Sequence, residues 1–215
     1  MAKPKGKDQI QYPTFEKAED DKTAKFIVEV EGKKLRVHRE YLAQFSPQWK
    51  KLMLVVHKDD NKIEFQGHKL EDIRELFQCL YPCFKPIDDS NVDSLMTSAI
   101  AFEIETIKTR VRSFIELKLD EQLNGRMGGT VNHMTQILER ADKFDMQDIV
   151  EKCSQWFAKQ STSKVQDAIR RVSAETGLIL ARDRMVYVDK KLREADKKNK
   201  DLEQKLQVLQ ITADK

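Results

Sequence analysis

From Leu178 onward, apolar or small residues recur at alternating intervals of three and four positions for more than four heptads. A helix with this spacing carries all of them on one side, so the pattern predicts a coiled coil about 50 Å long. We call these residues the seam, and they are Leu178, Ala181, Met185, Val188, Leu192, Ala195, Asn199, Leu202, Leu206 and Leu209. A seam of this kind needs a second helix to cover it, so it constrains assembly as well as fold.

One seam residue, Asn199, is polar, and it falls at heptad position a when Leu178 is counted as a. A single buried Asn at an a position weakens a coil. It also selects two strands in register, because only the matching Asn of the partner satisfies its amide. The sequence therefore predicts a two-stranded coil.

The charged residues beside the seam predict the orientation of the two strands. In a parallel dimer each g residue faces the next e residue of the partner helix. The resulting pairs are Arg184–Asp189, Lys191–Asp196 and Lys198–Glu203. An antiparallel arrangement would instead set the basic g rows against each other. The sequence thus favours a parallel homodimer over a lone solvated helix or a helix that packs back on its own domain.

The composition favours a helical protein with a modest core, because 40% of the 215 residues are hydrophobic, 35% are charged and only 7% are aromatic. The formal net charge is +3, with acidic and basic residues interleaved, so nucleic acid is not expected as a partner. No apolar run reaches the length of a membrane span, so we expect no membrane association. Three cysteines without a framework spacing fit a reducing compartment, and we expect an intracellular protein, cytoplasmic or nuclear.

No catalytic, cofactor or metal site is predicted. Cys79 and Cys83 frame the stretch CLYPC, but no second Cys or His pair lies at zinc-ligand spacing. We therefore expect a half-buried Cys79 and a Cys83 in a loop. The chain has no phosphate loop and no nucleophile elbow, and it contains only seven glycines. We expect no cofactor and no enzymatic activity.

The first half of the chain alternates short strands and short helices. Residues 1–21 are polar and predict a flexible arm with a few anchoring apolar side chains. KFIVEVEGKKLRVH predicts a hairpin that turns at Glu31-Gly32, and NKIEF predicts a third strand. Between them lie two short helices that are separated at Ser46-Pro47, and a further helix follows and ends at Pro82.

This order resembles a BTB (POZ) domain. In that family a strand leads into H-x-x-x-L and a Ser-Pro before the next helix, and the matching residues here are His38, Leu42, Ser46, Pro47 and Met53. Leu80-Tyr81 matches the apolar close of the family's next helix, and Asp88 to Ile115 matches its closing helix pair. We expect these residues to have structural roles. The resemblance implies that His38 is partly buried and hydrogen-bonded to the backbone, and we expect Trp49, Met53 and Phe77 to belong to the core.

The resemblance implies a non-enzymatic scaffold for protein–protein interaction and homodimerisation, or alternatively a substrate adaptor of a cullin-RING ubiquitin ligase. Cullin-binding members often carry an apolar residue, any residue and an acid before the third strand. The possible cullin-facing loop here consists of His57, Lys58, Asp59 and Asp60, in which either aspartate could supply the acid. His57 departs from the apolar residue of the pattern, and Lys25 stands where many members have an Asp.

The sequence also contains an internal repeat: residues 95–115 align with residues 137–157 at a constant offset. Each copy predicts a helix, a tight connection and a second helix with an apolar stripe, which ends in Trp156-Phe157 in the second copy. Such an added pair resembles the extension of BTB–BACK proteins and the BTB part of MATH–BTB proteins. We therefore predict an α+β fold with the following parts: a flexible arm (1–21), a BTB/POZ domain (22–120), a Gly-rich loop (121–130), a BACK-like helix pair (131–174) and a coiled coil (175–215).

Overall fold

The computed structural model describes residues 12–16, 23–125 and 130–213, with side chains as far as Gln207. The chain divides into two compact units between Ile115 and Glu116. The first unit contains a small sheet and several helices, and the second contains helices only over its described residues. This arrangement confirms the predicted α+β class with a helical extension.

The sheet of the first unit has three strands in the order β2-β1-β3. Strand β1 (Phe26–Val30) pairs antiparallel with β2 (Lys33–Val37), as the sequence predicted, and parallel with β3 (Lys62–Glu64). Glu31 and Gly32 both have a positive φ, 49° and 72°, which matches the strand twist in a two-residue hairpin turn. Alternate residues of β1 are buried, so one face of the sheet covers the core.

Six helical segments complete the region up to residue 124. They are α1 (Arg39–Leu42), α2 (Pro47–Lys51), a π-helical turn (Leu52–Val56), α3 (Leu70–Leu80), α4 (Val92–Ala101) and α5 (Glu105–Asn124). The predicted break before Pro47 is confirmed, since Ser46 caps α2 by accepting a hydrogen bond from the Trp49 backbone N–H at 3.0 Å. The π-helical turn was not predicted.

The core of the first unit is built around aromatic rings. Trp49, Met53 and Phe77 are fully buried, as predicted. The Trp49 ring stacks on Phe65 with 5.9 Å between ring centroids and tilts against Phe102 at 5.1 Å. These contacts join α2 to the segments that follow β3 and α4.

Part of the predicted flexible arm is held against the first unit. Phe15 is buried, and its backbone oxygen accepts a hydrogen bond of 2.7 Å from the backbone N–H of Arg36 in β2. The Gln78 side chain of α3 donates to the Pro13 oxygen at 2.9 Å. The arm therefore has an anchored stretch at residues 12–16, and the rest of it lies outside the described residues.

The second unit is formed by four helices together with the end of α5: α6 (Val131–Lys143), α7 (Gln147–Phe157), α8 (Thr162–Ile169) and α9 (Ala174–Ala213). Helix α7 packs against both α6 and α9, and α8 packs against α9. Of the predicted Gly-rich loop, residues 121–124 are instead the last turn of α5, because the helix continues to Asn124. Residues 126–129 of that loop lie outside the described residues.

The predicted repeat is visible in the backbone of both copies. Glu103 and Asp145, which are 42 positions apart, both have φ of 55°. In each copy the residue after this turn donates back to the preceding helix at 2.8 Å, from Ile104 N to Ala99 O and from Met146 N to Ala141 O. The two connections thus have the same hydrogen-bonded geometry, which explains why their sequences align.

The repeat also corrects one burial prediction. Phe157 is fully buried, but Trp156 is only partly buried and is not a core residue in the predicted sense. Phe114 and Ile115 of the first copy show the same difference. Adjacent residues of a helix point about 100° apart, so only one of the two can face the core fully.

Candidate functional site

The described seam residues lie on the surface of α9. Leu178 is 71% exposed, Met185 is 72% exposed and Leu192 is 59% exposed. Val188, Asn199, Leu202 and Leu206 are also exposed, whereas Ala181 is half-buried. The side chain of Leu209 lies outside the described residues. A row of exposed leucines on one side of a helix is unusual for a surface that faces only water.

Helix α9 packs on the second unit through a different face. We call this the docking face, and it consists of Thr176, Leu180, Asp183, Arg184 and Tyr187. Thr176 and Leu180 are buried, and the other three are half-buried. These residues occupy heptad positions c, f and g, which lie opposite or beside the a/d seam. The first turns of α9 thus pack back on the chain's own second unit, as the alternative to the homodimer predicted, while the described seam residues other than Ala181 stay exposed.

Polar contacts fix the docking face in place. Ser154 Oγ donates a hydrogen bond of 2.7 Å to Asp183 Oδ2, and Arg184 Nη1 donates one of 2.6 Å to the backbone oxygen of Ala158. Gly177 lies where an added Cβ would come within 3.3 Å of Ile169 Cγ2, so glycine permits the close approach of α8. Both α7 and α8 thus hold the first turns of α9.

The start of α9 is also tied to α6 through Asp142. Its carboxylate accepts hydrogen bonds from the backbone N–H of Ser173 at 2.7 Å and from the Ser173 hydroxyl at 2.5 Å. Burial alone would raise the pKa of Asp142, but the hydrogen bonds from Ser173 and Thr176 outweigh it and hold the pKa below its usual value. The carboxylate is therefore ionised at neutral pH and stabilises the first turn of α9.

The charged residues beside the seam make contacts within the single chain. Asp189 pairs with Arg193 at 2.9 Å and Lys191 pairs with Glu194 at 2.7 Å, both along α9. Arg184 contacts Ala158 in its own unit, so the predicted Arg184–Asp189 pair would have to compete with an existing hydrogen bond. The Lys191–Asp196 and Lys198–Glu203 pairs between strands stay predictions.

The predicted cullin-facing loop is a surface turn. Lys58, Asp59 and Asp60 are exposed, and His57 is half-buried. His57 Nδ1 lies 2.7 Å from Asp60 Oδ2, and Arg39 donates a hydrogen bond of 2.9 Å to the Lys58 oxygen. The loop is therefore accessible but locally ordered, and Asp60 is already engaged by His57.

Sequence reasoning missed the surface that precedes this loop. Val55 and Val56, in the π-helical turn, are 69% and 58% exposed. Beside them is a groove of about 390 Å³, whose lining includes Trp49, Leu52, Val56, Phe65, His68 and Phe102. The apolar run LMLVV was visible in the sequence, but only the π-helical backbone places both valines outward.

The residues that carried the resemblance have structural roles here. Ser46 Oγ donates to the Phe102 oxygen at 2.5 Å while it caps α2. The backbone N–H of His38 donates to the Tyr81 hydroxyl at 2.8 Å, and the imidazole Nε2 lies 2.8 Å from the Thr23 hydroxyl. His38 is thus partly buried, as the resemblance implied, and its backbone oxygen also accepts a hydrogen bond of 3.0 Å from the Leu42 backbone N–H.

The cysteines do not form a site. Cys79 is fully buried rather than half-buried, since α3 turns it into the core, and burial raises the pKa of its thiol to about 11. Cys83 is exposed, as its predicted loop position implied. Within residues 12–16, 23–125 and 130–213, no three His, Cys, Asp or Glu residues are grouped so that they could hold a metal ion. Among the described helices, none combines the length and apolar character needed to cross a bilayer.

Comparison with known proteins agrees with this architecture. The family model of the BTB/POZ domain matches residues 15–119. A curated relative, BTB and MATH domain-containing protein 38 of Caenorhabditis elegans, is 30% identical over 88 residues, which cover 40% of this chain and 23% of that protein. The chain therefore matches less than a quarter of that relative's length.

A solved structure, the BTB domain of human gigaxonin, is similar with a TM-score of 0.39 and 18% identity, over 44% of this chain and 79% of that chain. The family match covers the hairpin, the Ser46-capped helix, the third strand and the closing helix pair that the structure displays. A BTB/POZ domain is a module for protein–protein interaction. Residues 15–119 of this chain are a BTB/POZ domain.

Proposed function

We propose that this chain is a homodimerising interaction module in which the seams of two copies form a parallel two-stranded coil. The observation that carries the proposal is the position of the seam. Its described apolar residues other than the half-buried Ala181 are exposed on α9, while the docking face of the same helix is already covered by the chain's own α7 and α8. A partner can therefore cover the seam without displacing any intrachain contact of the docking face.

The energetics favour a helical partner with the same spacing. Burying one Leu side chain stabilises an assembly by about 1.5–3 kcal/mol, and the seam offers Leu178, Leu192, Leu202 and Leu206 from each strand. Part of this gain is offset by the entropy lost on association. A second copy of the chain has the same heptad spacing, because its sequence is identical. In a parallel pair in register it also brings its own Asn199 opposite the first.

Charge complementarity supports the parallel orientation. Lys191 and Lys198 lie on the g side, and Asp196 and Glu203 lie on the e side of the following heptad. A parallel pair brings opposite charges together on both flanks of the seam, whereas an antiparallel pair brings lysines together. Exposed ion pairs contribute little free energy, so the charges select orientation more than they add affinity.

Energy transfer between two labelled copies tests association through the coil. Donor and acceptor dyes are attached after Lys215 on separate batches of full-length chain. Leu202→Lys with Leu206→Lys adds two charges in the seam, and the matched control, Gln204→Lys with Gln207→Lys, adds two charges beside it. We expect transfer in the wild type and the control, and its loss in the seam variant. Equal transfer in all three proteins would exclude the seam as the contact.

A second candidate function is a substrate adaptor for a cullin-RING ubiquitin ligase, in which residues 57–60 face the cullin. The specific observation in its favour is that Val55 and Val56 are exposed directly before this loop. They offer the apolar contact for which His57 is poorly suited, and Asp59 offers the exposed acid.

Binding to a purified cullin amino-terminal domain tests this candidate. Val56→Ser and Asp59→Lys should each weaken binding by about tenfold or more if the surface is used as proposed. Asp120→Lys, at an exposed position of α5, is the control for the added charge. Binding that is absent in the wild type, or unchanged in both loop variants, would remove the adaptor function from this surface.

A further inference from the structure

We infer that the coil is nucleated at residues 176–187, which the chain's own helices hold in helical form, and that the segment from Val188 to Gln207 becomes a stable helix only when a second copy covers it. The inference rests on the proposed homodimer and specifies how its interface is assembled. It divides α9 into two segments with different physical support. We call them the nucleating segment (176–187) and the dependent segment (188–207).

The nucleating segment is stabilised by contacts on several sides. Thr176 and Leu180 are buried. Asp183 accepts a hydrogen bond from Ser154 of α7, and Arg184 donates one to the backbone oxygen of Ala158, the residue after α7. The cap at Asp142 and Ser173 precedes it directly. A helix with such tertiary contacts does not depend on its intrinsic propensity. Its seam residues are therefore presented in helical register before any partner arrives.

The dependent segment lacks these contacts. Every residue from Val188 to Gln207 is exposed. Its described support consists of the helix's own hydrogen bonds and the ion pairs Asp189–Arg193 and Lys191–Glu194, which are exposed to solvent and therefore weak. In proteins most helical stability comes from tertiary packing of one face rather than from intrinsic propensity, and residues 188–207 are exposed throughout. This segment contains Ala195 as its one alanine.

A second copy of the chain is the partner whose side chains match this segment. The dependent segment carries Leu192, Leu202 and Leu206 of the seam, the amide of Asn199 and the complementary g and e charges. The nucleating segment of each copy supplies a fixed register at Leu178, Ala181 and Met185, and the dependent segments then pair towards the C-terminus. Order in the dependent segment is thus linked to the concentration of the chain, because the partner is another molecule.

Hydrogen exchange on the full-length chain tests the inference. It is measured by mass spectrometry for the wild type, for Leu202→Lys with Leu206→Lys, and for the control Gln204→Lys with Gln207→Lys. Amides 176–187 should be equally protected in all three proteins. Amides 192–206 should be protected in the wild type and the control, and should exchange about 100-fold faster in the seam variant. Dilution of the wild type should produce the same selective loss.

The outcomes separate this inference from the homodimer itself. If amides 192–206 stay protected in the seam variant while energy transfer is lost, the dependent segment is stable alone and the inference is wrong, although the homodimer stands. If amides 176–187 lose protection together with 192–206, the division of α9 into two segments is wrong. If amides 192–206 are unprotected in the concentrated wild type and energy transfer is absent, the homodimer and the inference both fail.

Discussion

Ser154 of α7 donates a hydrogen bond of 2.7 Å to Asp183 of α9, and the donor residue is fully buried. This bond binds the docking face of α9 to its own unit and leaves the seam on the opposite side of the helix. The same hydroxyl lies 3.4 Å from the backbone oxygen of Ile179. One buried side chain thus fixes the rotation of the helix that carries the proposed interface.

Ser154→Ala should destabilise the second unit by about 1.5–3 kcal/mol, because it removes a hydrogen bond to a carboxylate and leaves Asp183 with less compensation. Chemical denaturation followed by circular dichroism measures the free energy of unfolding. Gln155→Ala, at an exposed position of the same helix, is the control. A Ser154→Ala variant as stable as this control would show that the bond does not hold the helix.

The first turn of α9 should become less stable in acid. Because the folded-state pKa of Asp142 is depressed, its contribution is fully present above the ordinary value of 3.8 and is lost as the pH falls through the lower folded-state value. Asp142→Asn should be less stable than the wild type at neutral pH and should lose less stability below about pH 4. Melting temperatures across pH 2–7 provide the measurement, and parallel curves for the two proteins would contradict the assignment.

The two aromatic residues at the end of α7 should respond differently to truncation. Phe157→Ala should cost about 3–5 kcal/mol, since the side chain is fully buried. Trp156→Ala should cost clearly less, because its ring is partly exposed and packs edge-on against Phe157. Denaturant midpoints of both variants check the order. A larger effect at Trp156 would show that the burial pattern of the repeat is misassigned.

Asn199→Leu should raise the thermal stability of the coil, because it replaces a buried amide with an apolar side chain, and should loosen the selection of two strands. Sedimentation equilibrium together with thermal melts reports both effects. Asp201→Leu, which adds an apolar residue at an exposed position outside the seam, controls for nonspecific association. A lower melting temperature for Asn199→Leu would show that Asn199 is not buried between strands.

Local signals in the sequence were sufficient for much of the fold. The hairpin at Glu31-Gly32 and the helix start at Ser46-Pro47 were predicted because each depends on neighbouring residues alone. The repeat was predicted because both copies need the same side chains around one tight turn. The continuous helix α9 was expected from its heptads.

Features that depend on distant residues were not predicted. The parallel pairing of β1 with β3 joins strands more than 30 positions apart, and no local pattern encodes it. The outward valines depend on the π-helical turn, which carries no clear sequence signature. A second stripe at Thr176, Leu180 and Tyr187 was visible in α9, but only the position of α7 and α8 identifies it as the docking face. Which face receives a partner is set by tertiary packing rather than by periodicity.

We propose that two copies pair in parallel through the seam, and disulfide formation at one seam position tests this pairing most directly. In a Cys83→Ser background, which removes the exposed thiol, we introduce Leu202→Cys at a d position and, separately, Gln204→Cys on the outer side of the helix. In a parallel coil in register, the two copies of residue 202 face each other within disulfide range.

Mild oxidation of the full-length chain should convert most of the Leu202→Cys protein to a covalent dimer on a non-reducing gel, and should leave the Gln204→Cys protein monomeric. A mixture of Leu202→Cys with Met185→Cys provides the antiparallel comparison, because an antiparallel coil centred on the seam brings residues 185 and 202 together. Preferential formation of that mixed disulfide would contradict the parallel orientation. Equal and slow oxidation at positions 202 and 204 would contradict the coil itself.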